Sequence, residues 1–359
     1  MKNRIPLVLF VILIGSFPLL PACGEPAELK TGWIIGRDSS FSCVILHTKD
    51  GGKHWTVQGE DAGLLGFDGM DVSAVDEKTA WIALGSDNAG RIIHTSDGGK
   101  SWTDQQVPEG VGPVKQIRGL SRKKAWAVGL RGEVLRTVDG GLNWVLVPHP
   151  DITINQVNRI AVRGKKRTEM YIADDEGGKQ GMIHMFDNGA SWRREFVDYD
   201  YDNNGVHMVG AFSKKVAFCF PWWRGTLFMT TDGGESWENL GDISGPNDID
   251  DICSPTENSF WAVQNLGGES GGLIFFVRIV DGTPEAKRFN PAPTYKYEGI
   301  TCVNRKNAIA VGGNTASTDP SQPAGVIVVT KDGGESWERQ EVPVEGVSLW
   351  KVSFVGDRF

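Results

Sequence analysis

Hydrophobic positions in this chain fall in short blocks rather than long stripes. Trp33-Ile-Ile, Trp81-Ile-Ala-Leu, Trp126-Ala-Val and Trp261-Ala-Val are continuous apolar runs that end at Gly or a polar residue. Tyr171-Ile-Ala, Phe218-Cys-Phe and Ile309-Ala-Val are looser copies of the same block. Runs of this length without alternation predict strands buried on both faces. Each is followed by a second short apolar segment, such as Glu133-Val-Leu-Arg136, and then by a Gly-rich turn.

The turns repeat. Thr48-Lys-Asp-Gly-Gly-Lys-His-Trp55, Thr95-Ser-Asp-Gly-Gly-Lys-Ser-Trp102 and Thr137-Val-Asp-Gly-Gly-Leu-Asn-Trp144 share one form. Met185-Phe-Asp-Asn-Gly-Ala-Ser-Trp192, Thr230-Thr-Asp-Gly-Gly-Glu-Ser-Trp237 and Thr330-Lys-Asp-Gly-Gly-Glu-Ser-Trp337 continue it. Successive copies start 47, 42, 48 and 45 residues apart, and the last follows after 100. The long gap holds a degenerate seventh copy at Ile279-Val-Asp281-Gly282, without its Trp. A period of about 45 residues reads as four antiparallel strands, one blade of a propeller. The expected fold is therefore all-β, a seven-bladed propeller. The last strand, within Ser348–Phe359, is expected to complete the first blade and close the ring, removing its open edges.

Composition accounts for the rest. The box and strand motifs absorb ten of the 13 Trp residues, so those ten are core. In the box, Thr and Asp satisfy backbone N–H groups, Gly supplies positive φ, and Trp covers the turn. The structural positions are Asp50 and Trp55, Asp97 and Trp102, Asp139 and Trp144, Asp187 and Trp192, Asp232 and Trp237, and Asp332 and Trp337. This form matches the Asp-box, the bacterial neuraminidase repeat. Together with the blade count and the Trp-Ala-Val-Gly strands, it resembles the photosystem II stability/assembly factor family over essentially the whole mature chain. The resemblance implies a non-catalytic scaffold that holds a membrane-protein assembly intermediate, without a cofactor and as a monomer. Asp-boxes also occur in sialidases and xyloglucanases, so a glycan-binding or glycan-hydrolysing propeller is the alternative. Glycoside hydrolysis needs two opposed carboxylates, and no motif singles out such a pair.

Lys2 and Arg4 precede an apolar run from Ile5 to Leu20, and Leu20-Pro-Ala-Cys23 follows. A basic start, a short apolar stretch and a small residue before the cut describe a signal peptide. Leu-x-Ala-Cys resembles the bacterial lipobox, which implies lipidation at Cys23. The organisation read here is a signal peptide over 1–22, a lipidated tether over 23–31 and the propeller over 32–359. The protein is thus expected to be exported and anchored to a bacterial membrane through its lipid. Cys43, Cys219, Cys253 and Cys302 show no paired spacing and read first as buried thiols, with one disulfide, which export would permit, as the alternative.

Net charge is −8, yet residues 115–167 hold 12 Lys/Arg against 3 Asp/Glu, a local charge of +9. Much of it falls in turns between the first and second strands of consecutive blades: Arg122, Lys123 and Lys124, then Arg163, Lys165, Lys166 and Arg167, then Lys214 and Lys215. These turns are expected to merge into one arc for anionic headgroups or an acidic partner segment. Export and overall acidity argue against nucleic acid. On the opposite face Pro221-Trp222-Trp223-Arg224 lies outside the repeat. Trp and Arg dominate interface hot spots, so Trp222, Trp223 and Arg224 are candidate partner anchors, with Gly-rich loops at 267–272 and 312–325 beside them. Asp198-Tyr-Asp200-Tyr-Asp202 begins like a calcium loop, but Asn203 and Val209 stand where Gly and Glu belong. It reads as a polar connection, and no metal is expected.

Overall fold

The computed structural model describes residues 28–356 apart from 87–88, 150–156, 165, 175–180, 196, 198–204, 223–224, 246, 267–270 and 315–324. The signal peptide, Cys23, Lys165, Trp223, Arg224, most of the acidic segment at 198–205 and the greater part of both Gly-rich loops lie outside the described residues.

Seven four-stranded antiparallel sheets make the blades. We name the strands A to D from the channel outward. Strand A is Asp68–Asp76 in blade 2, Val114–Gly119 in blade 3, Val157–Arg163 in blade 4 and Val206–Ala211 in blade 5. It is Ile249–Thr256 in blade 6 and Lys296–Cys302 in blade 7. Blade 1 joins Ser348–Phe354 to Gly32–Arg37, Cys43–Thr48 and Thr56–Gln58. Consecutive A strands touch all the way round the ring. Among the described residues the only helices are two single 3-10 turns, and no helix is long and apolar enough to cross a membrane.

The apolar blocks become the B strands, and their leading aromatics Trp33, Trp81, Trp126 and Trp261 are buried. Each meets a partner directly across on strand C: Trp33 on His47, Trp81 on His94, Trp126 on Arg136, Tyr171 on His184 and Trp261 on Phe276. Ring-on-ring or cation-on-ring packing of such cross-strand pairs stabilises the sheet. Burial holds the His47 and His94 imidazoles down at about 4, so they pack as neutral rings.

Five boxes share one hydrogen-bond pattern. In blade 2, Thr95 Oγ1 donates to Asp97 Oδ1 at 2.9 Å and accepts from Gly99 N at 2.8 Å, while Ser101 N donates to Asp97 Oδ1 at 3.0 Å. The same bonds recur from Thr48, Thr137, Thr230 and Thr330. Met185 lacks the hydroxyl, and there the turn becomes a 3-10 turn with Asp187 and Asn188 at positive φ. Blade 6 departs further. Asp281 (φ 50°) and Gly282 (φ 77°) form a two-residue hairpin, as Asp-Gly pairs do in type I′ turns.

The box Trp does more than cover its own turn. Trp144 packs edge-on against Trp81 of the preceding blade at 5.7 Å, Trp237 against Tyr171 at 6.0 Å, and Trp337 against Trp261 at 5.9 Å. Each such pair contributes roughly 0.5–1.5 kcal/mol beyond area burial. The box therefore joins neighbouring blades.

Of the two readings for the cysteines, the buried-thiol one holds for Cys43 and Cys219 and is corrected for Cys253 and Cys302, which form the one disulfide, between the A strands of blades 6 and 7. Adjacent A strands bring the two Cα atoms to 5.9 Å, although 49 residues separate them in sequence.

Candidate functional site

The A–B turns lie at one mouth of the channel. Arg122 and Arg163, from blades 3 and 4, line the same cavity there, of about 680 Å³. Arg118, Ser73, Asp76 and Phe212 complete its walls. Arg122 Nε donates to Asp76 Oδ2 at 2.6 Å, which fixes the guanidinium at the rim. Lys123, Lys124, Lys166 and Arg167 are exposed on the same turns. Arg167 lies 3.7 Å from Asp187, and Lys214 pairs with Glu169. A second cavity, of about 960 Å³, follows between blades 5 and 6, with Lys214, Lys215 and Met229 in its wall and Phe212 shared. The basic turns thus converge on two adjoining hollows, each with an apolar patch.

Charged side chains also meet across the ring. Arg159 of blade 4 bonds Asp251 of blade 6, and Lys351 of blade 1 approaches the same carboxylate at 3.4 Å. These blades are not neighbours, so the contacts run across the channel. Arg118 and Asp71 form a second buried pair between blades 3 and 2. Buried pairs of this kind are costly to break by removing one partner.

At the opposite mouth, the ring of Trp222 lies 3.9 Å from that of His207. His207 belongs to a set that sequence reasoning missed. Every A strand skips one residue in its pairing with strand B, at the same height: Lys115, Asn158 and His207 in blades 3 to 5, Asp250 and Glu298 in blades 6 and 7, Trp350 and Met70 in blades 1 and 2. Such β-bulges re-aim a side chain. All seven are half-buried. The signal was legible as apolar–x–x–apolar in six of the seven A strands, as in Val114-Lys-Gln-Ile117 and Ile249-Asp-Asp-Ile252, which breaks the two-residue alternation; blade 2 has Gly69 at the first position. Asp250 and Glu298 share one asparagine: Asn265 N donates to Asp250 at 2.8 Å, and Asn265 Nδ2 to Glu298 at 3.2 Å. Burial, reinforced by Glu298, pushes the Asp250 carboxyl up to about 7. Among the described residues no group of His, Cys, Asp and Glu has the make-up of a metal site.

The family model described as photosynthesis system II assembly factor YCF48 matches residues 27–243, blades 1 to 5. This chain belongs to that family. The photosystem II assembly lipoprotein Ycf48 of Synechococcus sp. (strain CC9902) is 25% identical over 260 residues, 60% of this chain and 71% of that protein. Two solved structures share the fold. YCF48 bound to D1 peptide has a TM-score of 0.62 at 17% identity, covering 90% of this chain and 88% of that one. YCF48 from Cyanidioschyzon merolae has 0.56 at 14%, covering 79% and 95%. A streptogramin B lyase also superimposes, at 0.59 and 12% identity over 80% of this chain and 87% of the lyase, so the fold alone does not separate binder from enzyme.

Proposed function

We propose that this protein is a non-catalytic, lipid-anchored assembly factor that holds a subunit or intermediate of a membrane protein complex. The observation that carries the reading is the convergence of Arg118, Arg122 and Arg163 on one 680 Å³ cavity at the A–B-turn mouth. A cavity with fixed guanidinium groups and an apolar side, Phe212, suits an acidic, partly apolar peptide segment. Family membership supports a partner of this class, since one relative is named a photosystem II assembly lipoprotein and another was solved with a D1 peptide. Lipidation at Cys23 places the propeller beside a membrane on the exported side, where such a partner resides. The glycan alternative would need carboxylates facing each other across a sugar. Asp250 and Glu298 instead sit on neighbouring blades and share one asparagine, which supports a binding role.

The test is affinity purification of the tagged lipoprotein from gently cross-linked membranes, with captured proteins identified by mass spectrometry. One membrane-protein subunit should be recovered and then lost in the Arg122→Glu/Arg163→Glu variant, at unchanged thermal stability. A Trp222→Ala variant reports on the opposite mouth, where Trp222 of the second proposed anchor lies. Loss of the partner with Trp222→Ala alone moves the binding face there; recovery of no specific protein overturns the scaffold reading.

A further inference from the structure

Large apolar side chains left in the open are concentrated on one blade. Of the seven exposed among the described residues, four belong to the outer edge of blade 3: Val138 (54% exposed), Leu142 (75%), Val145 and Leu146. Val138 and Leu142 stand on either side of Asp139-Gly-Gly at the tip of the box. Gly140 N donates to Lys123 O at 3.0 Å, so this tip rests against the turn that carries exposed Lys123 and Lys124. In blade 4 the box and the basic turn are joined in the same way. Asn188 Nδ2 donates to Lys166 O at 3.3 Å, and Lys166 and Arg167 are exposed. The Asp139 carboxylate between the apolar tips is engaged by its own box, accepting from Thr137 Oγ1 at 2.8 Å and Asn143 Nδ2 at 2.7 Å. Blades 5 and 7 have Glu235 and Glu335 where blade 3 has Leu142.

The start of the chain reaches the same end of the ring, because the boxes and the A–B turns share one end of every blade. Leu29 is buried in the blade 1 core, and Gly51 N of the blade 1 box donates to Lys30 O at 2.8 Å. The described chain begins at Glu28, five residues after Cys23. Even fully extended, that stretch spans at most about 18 Å. A lipid at Cys23 therefore holds the blade 1 box close to the bilayer. From there Lys49, Lys53 and Lys100 are exposed on the box tips of blades 1 and 2, so basic character runs from the tether to blade 4. Each basic residue near an anionic surface adds about fivefold to affinity, and exposed apolar clusters mark interaction surfaces. We propose that blades 3 and 4 dock this edge on an anionic bilayer. Leu142 and Val138 insert among the headgroups, and Lys123, Lys124, Lys166 and Arg167 meet their phosphates. The docking rests on the lipid anchor at Cys23 and needs no bound partner. It turns the 680 Å³ cavity toward the membrane, where a segment of a membrane protein emerges.

The test is a depth measurement on the full lipoprotein reconstituted in vesicles of phosphatidylcholine alone or of equal parts phosphatidylcholine and phosphatidylglycerol. An environment-sensitive fluorophore is attached at Val138→Cys or, as a control at the opposite mouth, at Leu65→Cys. Cys43 and Cys219 are buried and Cys253 and Cys302 are bridged, so the new thiol takes the label. In the anionic vesicles, nitroxide lipids should quench the label at 138 several-fold more than the label at 65. Adding Leu142→Asp, or Lys123→Glu with Lys124→Glu and Lys166→Glu, should cut that excess about tenfold or more. Salt at about 1 M should weaken it too. Equal quenching at the two positions, or an excess that survives both sets of substitutions, would overturn the docking. An intact mass without acyl chains would overturn it through its premise. Quenching that persists in a protein capturing no partner upholds the docking and counts against the scaffold reading alone.

Discussion

The two box glycines of blade 7 separate backbone cost from packing cost. Gly333 and Gly334 have the same left-handed backbone, φ 84° and 87°. An alanine at either position costs roughly 1–2 kcal/mol for that conformation. Their surroundings differ. A Cβ on Gly333 would meet nothing nearer than the Arg305 carbonyl at 3.6 Å, whereas one on Gly334 would lie 2.4 and 2.6 Å from Phe289 ring atoms. Phe289 cannot simply turn aside, because its ring packs against Trp261 at 5.9 Å and Trp337 at 5.8 Å. Forced repacking adds about 1–3 kcal/mol. Gly333→Ala should therefore lose about 1–2 kcal/mol and Gly334→Ala about 2–5 kcal/mol, the sum of the two effects. Urea unfolding followed by tryptophan fluorescence measures both, with an unchanged slope expected. Combining Gly334→Ala with Phe289→Ala should cost less than the two single losses added, because the clash is gone. Equal losses at Gly333 and Gly334, or additivity in the double variant, would refute the claim that the second box glycine exists to admit the neighbouring blade.

Other expectations follow from single features. The Asp250 carboxyl sits near 7 in the fold against 3.8 when free, with Glu298, Asp248 and Lys351 around it. Between those values the native protein keeps a proton that the unfolded chain has lost, so this group lowers stability as pH rises and levels off above pH 7. Asp250→Asn should match the wild type near pH 4 and exceed it by on the order of 4 kcal/mol at pH 8; a pH-independent difference would contradict this. The Cys253–Cys302 bridge closes a loop of 49 residues, so adding reductant should lower unfolding stability by about 4 kcal/mol. Unchanged denaturation under reduction would show that the bridge does not form. Removing residues 346–359 exposes the edge of Gly32–Arg37 and should unfold the ring cooperatively, whereas a truncated chain with an unaltered melting curve would show that blade 1 does not need its A strand.

The fold was legible because propeller information is local and repeated. Thr95, Asp97, Gly99 and Trp102 lie within eight residues, and each repeats the same turn chemistry without reference to the rest of the chain. Departures were legible too: Met185 removes a hydroxyl, and that blade loses the shared pattern. The basic turns were visible as charge runs expected to merge into one arc, but the cavity shared by Arg122 and Arg163 was not, because Ser73, Asp76 and Phe212 from other blades complete it. Which cysteines pair was hidden for the same reason. Scattered cysteines carry no pairing signal when equivalent positions of neighbouring repeats are what meet.

By itself, then, the sequence determined the strand blocks, the blade count and the box turns, all set by residues close along the chain. Only the tertiary structure decided which side chains face one another across the ring. Arg159 with Asp251 and Lys351, the bulged residues at one mouth and the arginines at the other are brought together by closure of seven similar blades. A repeat specifies its own blade, whereas the contents of the channel depend on what the other six place there.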